Sequence, residues 1–210
     1  MSSVAKLPLT NKELAEQGGA LPLRYPATEE EYWELAQAAE FRADYSNQEI
    51  IAQMSYESST HSDIVNDLMF LLKTLFGEQY RYGHSNRPIC VPACGNAIFN
   101  PDGTVIQLPD SFYEYRPGMT AELTPYVLFE VLSSSTRLRD WGEKLPCYKE
   151  IASLKYILYL ESETARLHLL ERLPDSQQWL ESRFDSLDDT FLLDGHRLRL
   201  ADIYACFKQP

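Results

Sequence analysis

Two apolar segments of the chain each end in a carboxylate, and this pattern constrains the fold more than any other feature of the sequence. Asp110 follows a β-like run at residues 104–108, and Glu130 follows a second such run at residues 125–129. A carboxylate in a buried strand is costly unless another group pairs with it. If the two strands are neighbours, both acids can share a divalent cation such as Mg²⁺, which prefers oxygen ligands. The structural alternative is that Asp110 caps a turn and Glu130 forms a salt bridge.

Length and charge bound the organisation of the chain. Its 210 residues suffice for one well-buried domain. Residues 1–25 are polar with scattered prolines and predict a flexible N-terminal arm, and residues 26–210 predict a single domain. The net charge of −12 counts against binding nucleic acid through backbone phosphates alone. A basic cluster after Glu130 fits either an enzyme that acts on an anion or a solvated helix face. It consists of Arg137, Arg139, Lys144, Lys149 and Lys155.

The N-terminus and the cysteines bear on the cellular compartment. No apolar run reaches the roughly 20 residues that cross a bilayer, and the N-terminus lacks a hydrophobic signal core. We therefore expect a cytoplasmic protein with no membrane partner. Cys90, Cys94, Cys147 and Cys206 lack the paired spacing of a zinc site. We expect them to be reduced thiols that pack as small apolar side chains.

Helix and strand patterns alternate along the chain, which predicts an α/β fold. Thr28 begins a helix with a capping box, and apolar residues recur at helical spacing over residues 59–76. A third helix is predicted over residues 136–151, with a kink or break at Pro146. Residues 100–103 carry turn chemistry. The predicted strands lie in a hairpin over residues 41–54 and at residues 87–92, 96–99, 104–114, 125–132, 156–160, 165–172, 178–184 and 190–199, before a short closing helix at 200–207.

Three strings, at residues 108–110, 129–136 and 140–148, resemble the Uma-two family of bacterial restriction-endonuclease-like proteins. This family is placed in the PD-(D/E)XK nuclease superfamily. The specific part is Glu-Val-Leu-Ser beginning at Glu130 together with Lys-Leu-x-x-Tyr beginning at Lys144. The resemblance runs from about residue 32 to the C-terminus. It implies a restriction-endonuclease-like core, with a mixed central β-sheet flanked by helices and with an added N-terminal hairpin and C-terminal strands.

The resemblance also implies a metal site. Asp110 and Glu130 would be the metal ligands, and the cation would be Mg²⁺ or Mn²⁺. The usual lysine of the superfamily lies two residues after the glutamate, where this chain has Leu132. In the Uma-two family its role moves to the lysine of the following helix, which is Lys144.

Two further residues match the family pattern. His61 matches the histidine that opens the first core helix, where it would act as a general base. Its alternative role is to cap the helix or bind a neighbouring carboxylate. Glu49 matches the acid of the early hairpin, where it would contact the metal or position water. Its alternative role is that of a cross-strand charge.

These residues imply a metal-dependent endonuclease that hydrolyses phosphodiester bonds of DNA. Cutting both strands of a duplex favours a two-fold homodimer. A non-catalytic binding or assembly module on the same scaffold is the alternative, and an RNA substrate is a third hypothesis. Two features favour the non-catalytic alternative: the net charge of −12, and Pro146, which interrupts the helix that carries Lys144. Ser134, which replaces a frequent proline, is a further departure from the family pattern.

Overall fold

A computed structural model describes residues 7–18, 22–52, 58–134 and 136–208. The helices are α1 (Asn11–Glu16), α2 (Glu29–Ala38), α3 (Ser59–Phe76), α4 (Arg137–Arg139), α5 (Leu145–Glu150) and α6 (Leu200–Ile203). A π-helical turn over Asp140–Lys144 joins α4 to α5. The strands are β1 (Leu23–Pro26), β2 (Ala43–Ser46), β3 (Glu49–Ala52), β4 (Tyr80–His84), β5 (Ile89–Val91), β6 (Ala97–Phe99), β7 (Gly103–Gln107), β8 (Phe112–Arg116), β9 (Met119–Glu122), β10 (Pro125–Leu132), β11 (Tyr156–Glu161), β12 (Leu167–Arg172), β13 (Trp179–Phe184), β14 (Thr190–Leu193) and β15 (His196–Arg199).

The strands form two large sheets and one hairpin. A six-stranded sheet has the order β13-β12-β11-β10-β7-β4, and a seven-stranded sheet has the order β1-β3-β2-β6-β5-β9-β8. The hairpin is β14-β15. In the six-stranded sheet β10 and β11 are parallel, whereas the other neighbours are antiparallel. The mixed sheet of the predicted α/β fold is therefore confirmed.

Helices pack on both faces of the six-stranded sheet. On one face Val127 and Phe129 of β10 pack with Leu68 of α3. On the other face Leu128 packs with Tyr148 of α5. Strands β10 and β11 are buried on both faces, which explains why their sequences are nearly continuous apolar runs.

The pairing of β7 with β10 determines which acids can meet. The two strands are antiparallel, with Gly103 opposite Phe129 and Ile106 opposite Pro125. A Cβ atom on Gly103 would lie 2.1 Å from the Phe129 ring, so this close approach requires glycine. The residue before β7 therefore lies beside Glu130, and the residues after β7 lie toward the opposite end of β10.

Most of the predicted elements are present, but several strands differ. The strand predicted at residues 190–199 is a hairpin of two strands, β14 and β15. The helices predicted from Thr28 and over residues 59–76 are α2 and α3. The strand predicted at residues 104–114 is two strands, β7 and β8, that lie in different sheets. Strands β4 and β9, of five and four residues, were not predicted. The end of the predicted hairpin at residues 53–54 lies outside the described residues.

The irregularity of the third helix lies upstream of the proline that predicted it. The π-helical turn ends at Lys144, and Pro146 stands in the first positions of α5. The backbone stays helical on both sides of this position, and the N–H of Leu145 donates to Asp140 O five residues back. The wider π-helical turn thus accommodates the missing N–H and the ring of the proline within a continuous helical segment. Pro146 therefore does not displace Lys144.

Residues 7–18 and 22–25, the described part of the predicted flexible arm at residues 1–25, contain a helix and a strand. Thr10 and Glu13 form a capping box that begins α1, and Leu14 of this helix is fully buried. Strand β1 pairs with β3. Packing against distant parts of the chain orders these segments, so their local polarity was a poor guide.

Two of the four cysteines depart from the expected reduced state. Cys94 and Cys147 form a disulfide across a sequence separation of 53 residues. This distance explains why spacing alone did not reveal the pair. Cys90 and Cys206 are free thiols, as expected. In the part of the chain that the structure describes, no helix is both long and apolar enough to cross a membrane.

Candidate active site

Five ionisable side chains meet at the C-terminal end of β10. We call Asp44, Asp102, Glu130, Asp140 and Lys144 the carboxylate–lysine cluster. The Lys144 ammonium lies 2.9 Å from Glu130 Oε1 and 3.0 Å from Asp140 Oδ1. It lies 3.7 Å from Asp44 Oδ2. These four side chains are buried, and Asp102 is partly exposed, so the cluster has one side open to solvent.

Glu130 is fixed by hydrogen bonds from two segments of the chain. Lys144 Nζ and Tyr148 Oη both donate to Oε1, at 2.9 Å and 2.7 Å. The backbone N–H of Asp102 donates to Oε2 at 3.3 Å. Lys144 and Tyr148 are four residues apart, so the Lys-Leu-x-x-Tyr string places two donors on one carboxylate.

Asp102 is held against the same strand end. Its Oδ2 accepts a hydrogen bond from the backbone N–H of Val131 at 2.7 Å. Its Oδ1 lies 3.5 Å from His61 Nε2. The contacts are reciprocal. Glu130 accepts a hydrogen bond from the backbone N–H of Asp102, and Asp102 accepts one from the backbone N–H of Val131, the residue after Glu130. The two carboxylates therefore form a single unit.

The structure does not bring Asp110 to Glu130. Asp110 follows β7, and its Oδ2 lies 2.5 Å from Nη1 of Arg81. The same guanidinium binds Glu122 of β9. Because β7 runs antiparallel to β10, the residues after β7 are directed away from Glu130. The predicted pairing of Asp110 with Glu130 is thus corrected, and the acid beside Glu130 is Asp102.

Asp44 of β2 connects the cluster to the turn that carries Asp102. Its Oδ1 accepts hydrogen bonds from the backbone N–H of Asn100 at 2.8 Å and from the Asn100 side chain at 3.0 Å. Its Oδ2 binds Arg139 of α4. Asp44 therefore holds the Asn100–Asp102 turn and the start of the lysine-bearing helix together.

The other predicted residues fall on either side of this cluster. His61 contacts Asp102, and a cavity of about 240 Å³ lies beside this pair, also lined by His84 and Ser85. We call it the His61 cavity. Glu49 instead forms an ion pair with Arg24 at 3.1 Å, and the structure does not place it in the cluster.

Burial and crowding of like charges shift the ionisation of the cluster. Burial raises the pKa of Glu130 to about 8, and the negative charges of Asp140 and Asp102 act in the same direction. The Lys144 ammonium lowers this pKa, but its effect is smaller than the sum of the others. Burial opposes the charge on Lys144, but the surrounding carboxylates outweigh it and raise the pKa of this lysine. Burial also opposes ionisation of Asp44, but Arg139 and Lys144 more than offset it and lower the Asp44 pKa. The lysine therefore stays charged, and Glu130 is partly protonated near neutral pH.

This shift predicts a pH-dependent stability for the metal-free protein. The pKa of Glu130 is about 8 in the folded chain and about 4.3 in an unfolded one. The folded state therefore binds more protons between these values, and stability falls as pH rises from 5 to 8. The slope is at most about 1.4 kcal/mol per pH unit. Lys144 stays charged in both states over this range and adds no slope.

Urea unfolding in a chelating buffer measures this dependence. Subtracting the free energy of unfolding of wild type from that of Glu130→Gln cancels the contribution of the histidines, which both proteins contain. We expect this difference to increase in favour of Glu130→Gln from pH 5 to pH 8. A constant difference would contradict the assignment.

The cluster is chemically suited to a hard divalent cation. Its four carboxylates face two fixed cations, Arg139 and Lys144, so ionisation of all four acids leaves an excess of negative charge. Within the described residues, no group of three or more His, Cys, Asp or Glu side chains is arranged to hold a metal. Mg²⁺ usually binds through one or two carboxylates plus water and substrate oxygens. Asp102 and Glu130, beside an open cavity, fit that pattern.

Comparisons with known proteins agree with the resemblance in the sequence. A family model matches residues 29–201, which is most of the chain. This is the model of the Uma2 family, whose description is "Putative restriction endonuclease". The chain belongs to the Uma2 family. No curated protein matches this Uma2 member.

A solved structure supports the fold of this Uma2 protein. It is described as "a putative nuclease belonging to DUF820 from Anabaena variabilis ATCC 29413". The match has a TM-score of 0.58 and 14% sequence identity, and it covers 83% of this chain and 97% of that chain. At this identity the likeness concerns the fold alone.

The sequence prediction did not place Asp44, Asp102, Asp140 or Tyr148 in the site of this Uma2 member, although Asp140 and Tyr148 lie within the third string that resembles the family. One signal for Asp102 was present, because Pro101-Asp102 directly precedes an apolar strand just as Pro109-Asp110 follows one. Choosing between the two dipeptides requires the direction of β7 relative to β10. Asp44 carries no such signal, because its contacts reach 56 and 95 residues along the chain.

Proposed function

We propose that this Uma2 member is a nuclease that depends on Mg²⁺ or Mn²⁺ and hydrolyses phosphodiester bonds of DNA. The observation that carries the proposal is the pairing of Asp102 with Glu130 beside the Lys144 ammonium. Asp102 and Glu130 are the proposed metal ligands, in place of the Asp110–Glu130 pair expected from the sequence. Family membership and fold support the same reaction class.

The residues of the chain have distinct roles in this proposal. When bound, a divalent cation would lower the pKa of water and stabilise negative charge on a phosphoryl oxygen. Lys144 supplies a fixed positive charge next to Glu130, because its pKa is raised by the surrounding carboxylates. Tyr148 and Asp140 hold Glu130 and the lysine in place. His61 lines the cavity beside Asp102, where it would accept a proton from a water bound in the cavity.

Local charge supports an anionic substrate despite the acidic chain. His84 lines the His61 cavity, and its pKa is lowered by burial and by the charges of Lys73 and Arg42. Arg42 also binds Ser85, another residue of the cavity lining. A phosphate at the cavity would be attracted by this guanidinium.

Cleavage assays test the proposal. Plasmid DNA and a single-stranded oligonucleotide are incubated with the protein and either Mg²⁺, Mn²⁺ or a chelator. We expect cleavage with either metal, none with the chelator, and a loss of more than about 100-fold in Glu130→Gln. Equal cleavage by wild type and Glu130→Gln would point to a contaminating nuclease and contradict the proposal.

A non-catalytic binding or assembly module is the second candidate function, and one observation favours it. The Lys144 ammonium already contacts three carboxylates, which neutralises part of the cluster without a metal. This candidate predicts no Mg²⁺ binding at the cluster. Titration calorimetry that detects Mg²⁺ binding in wild type but not in Asp102→Asn would exclude it.

The remaining expectations concern assembly and compartment. A homodimer would present two sites to the two strands of a duplex, and light scattering in solution measures the mass that decides this. A cytoplasmic location also stays a prediction. Disulfides persist mainly in oxidising compartments, so the oxidation state of Cys94 and Cys147 in cells bears on it directly.

A further inference from the structure

A second cavity lies next to the His61 cavity. Its volume is about 360 Å³, and it lies between α2, the segment after α2 and the turn between β8 and β9. Trp33, Phe41 and Met119 supply apolar surface to its lining. We call it the Trp33 cavity. A volume of this size is in the range of sites that bind small organic groups.

The polar part of the lining includes amides and charged groups. The amides are those of Gln37, Asn86 and Asn100, and the other polar side chains include Glu40, Arg42 and Thr120. The Asn100 side chain already donates to Ala43 O and Asp44 Oδ1, so Gln37 and Asn86 are the amides that can bind a ligand. A side-chain amide both donates and accepts hydrogen bonds. Apolar and aromatic walls combined with amides suit a flat heterocycle that carries donors and acceptors along its edge, and a nucleobase is such a group.

Two side chains connect the Trp33 cavity to the candidate active site. Arg42 lines this cavity and binds Ser85, which lines the His61 cavity. Asn100 lines the Trp33 cavity and binds Asp44 of the carboxylate–lysine cluster. Asn100 is also two residues before Asp102. The two cavities are therefore adjacent, and the contact between Arg42 and Ser85 links their linings.

We propose that the Trp33 cavity binds an unstacked nucleobase of the strand that is cut, while Arg42 binds the adjoining phosphate. This inference rests on the proposed nuclease function and names the substrate class more closely. A base inside a duplex cannot enter such a cavity unless it leaves the stack. The preferred substrate is therefore a single strand, or a duplex site where a base is extruded.

Binding in the presence of a chelator tests the inference without requiring cleavage. The probe is a fluorescein-labelled 12-nucleotide single strand at low salt, and the comparison strands each carry one abasic position. Ala36→Trp places a bulky ring on the α2 wall of the Trp33 cavity. Ala38→Trp is the matched control, since Ala38 is exposed on the same helix and does not line the cavity. Both positions are exposed, so both variants should fold.

We expect Ala36→Trp to weaken binding of the intact strand roughly tenfold, as expected for the loss of one stacked base. Ala38→Trp should bind like wild type. Removing the base at one position should weaken binding to wild type by a similar factor and should have no further effect in Ala36→Trp. Equal binding by the two Trp variants, no effect of any abasic position, or no binding of any strand to wild type would each overturn the inference.

Cleavage assays on the same proteins separate this inference from the proposed function. If wild type binds the intact strand as expected but cleaves nothing with Mg²⁺ or Mn²⁺, the nuclease proposal fails and the base site stands. If Ala36→Trp cleaves and binds single strands as wild type does, the base site fails and the nuclease proposal stands.

Discussion

Asp102→Asn is expected to lose metal-dependent cleavage by more than about 100-fold, whereas Asp110→Asn is expected to remain active. The reason is the position of each acid relative to β10. Asp102 lies against Glu130 through two backbone hydrogen bonds. Asp110 is paired with Arg81 at the other end of β7. Even residues that only orient a metal ligand cost 10- to 100-fold when they are replaced, so loss of a ligand itself should cost more.

The two substitutions form a matched pair, because each replaces one aspartate that follows a proline. Cleavage rates are measured in Mg²⁺ and compared at equal folded fraction, determined by circular dichroism. Asp110→Asn loses an ion pair outside the site, so it shows how much cleavage is lost when only stability is reduced. Inactivity of Asp110→Asn together with full activity of Asp102→Asn would reverse the site assignment.

Lys144→Met is expected to destabilise the protein by about 3–5 kcal/mol and to abolish cleavage. Removing one partner of a buried ion pair leaves the other charge uncompensated, which is costly. Here the ammonium contacts Asp44, Glu130 and Asp140, so three carboxylates lose their shared cation. Urea unfolding measures the loss of stability. Lys149→Met, on the same helix but outside the cluster, should change the free energy of unfolding by much less.

A double variant separates the stability role of Lys144 from its role in the reaction. Asp140→Asn removes one of the carboxylates that Lys144→Met leaves uncompensated, so the double variant should recover part of the lost stability. It should not recover cleavage, because the positive charge beside Glu130 is still absent. Recovery of both would show that Lys144 acts only through the fold.

Local patterns in the sequence predicted the elements that local interactions determine. The capping box at Thr28 and the apolar spacing over residues 59–76 correspond to α2 and α3. The apolar run of β11 likewise indicated a strand covered on both faces. In these segments propensity, capping and burial all favour the same structure.

The candidate site was only partly predictable, because it depends on strand direction and distant contacts. Glu130 and Lys144 lie in two neighbouring strings that resemble the family, so both were found. The choice between Asp102 and Asp110 depends on β7 being antiparallel to β10. Asp44 joins the site through residues far along the chain, and no periodicity reveals such a contact.

The most direct test of this account is the position of a bound metal. Crystals soaked in Mn²⁺ and measured at the manganese absorption edge would show an anomalous peak wherever the ion binds. We expect one peak between the carboxylates of Asp102 and Glu130, on the side of the His61 cavity. A peak at Asp110, or none near Glu130 at a Mn²⁺ concentration that supports cleavage, would contradict the account.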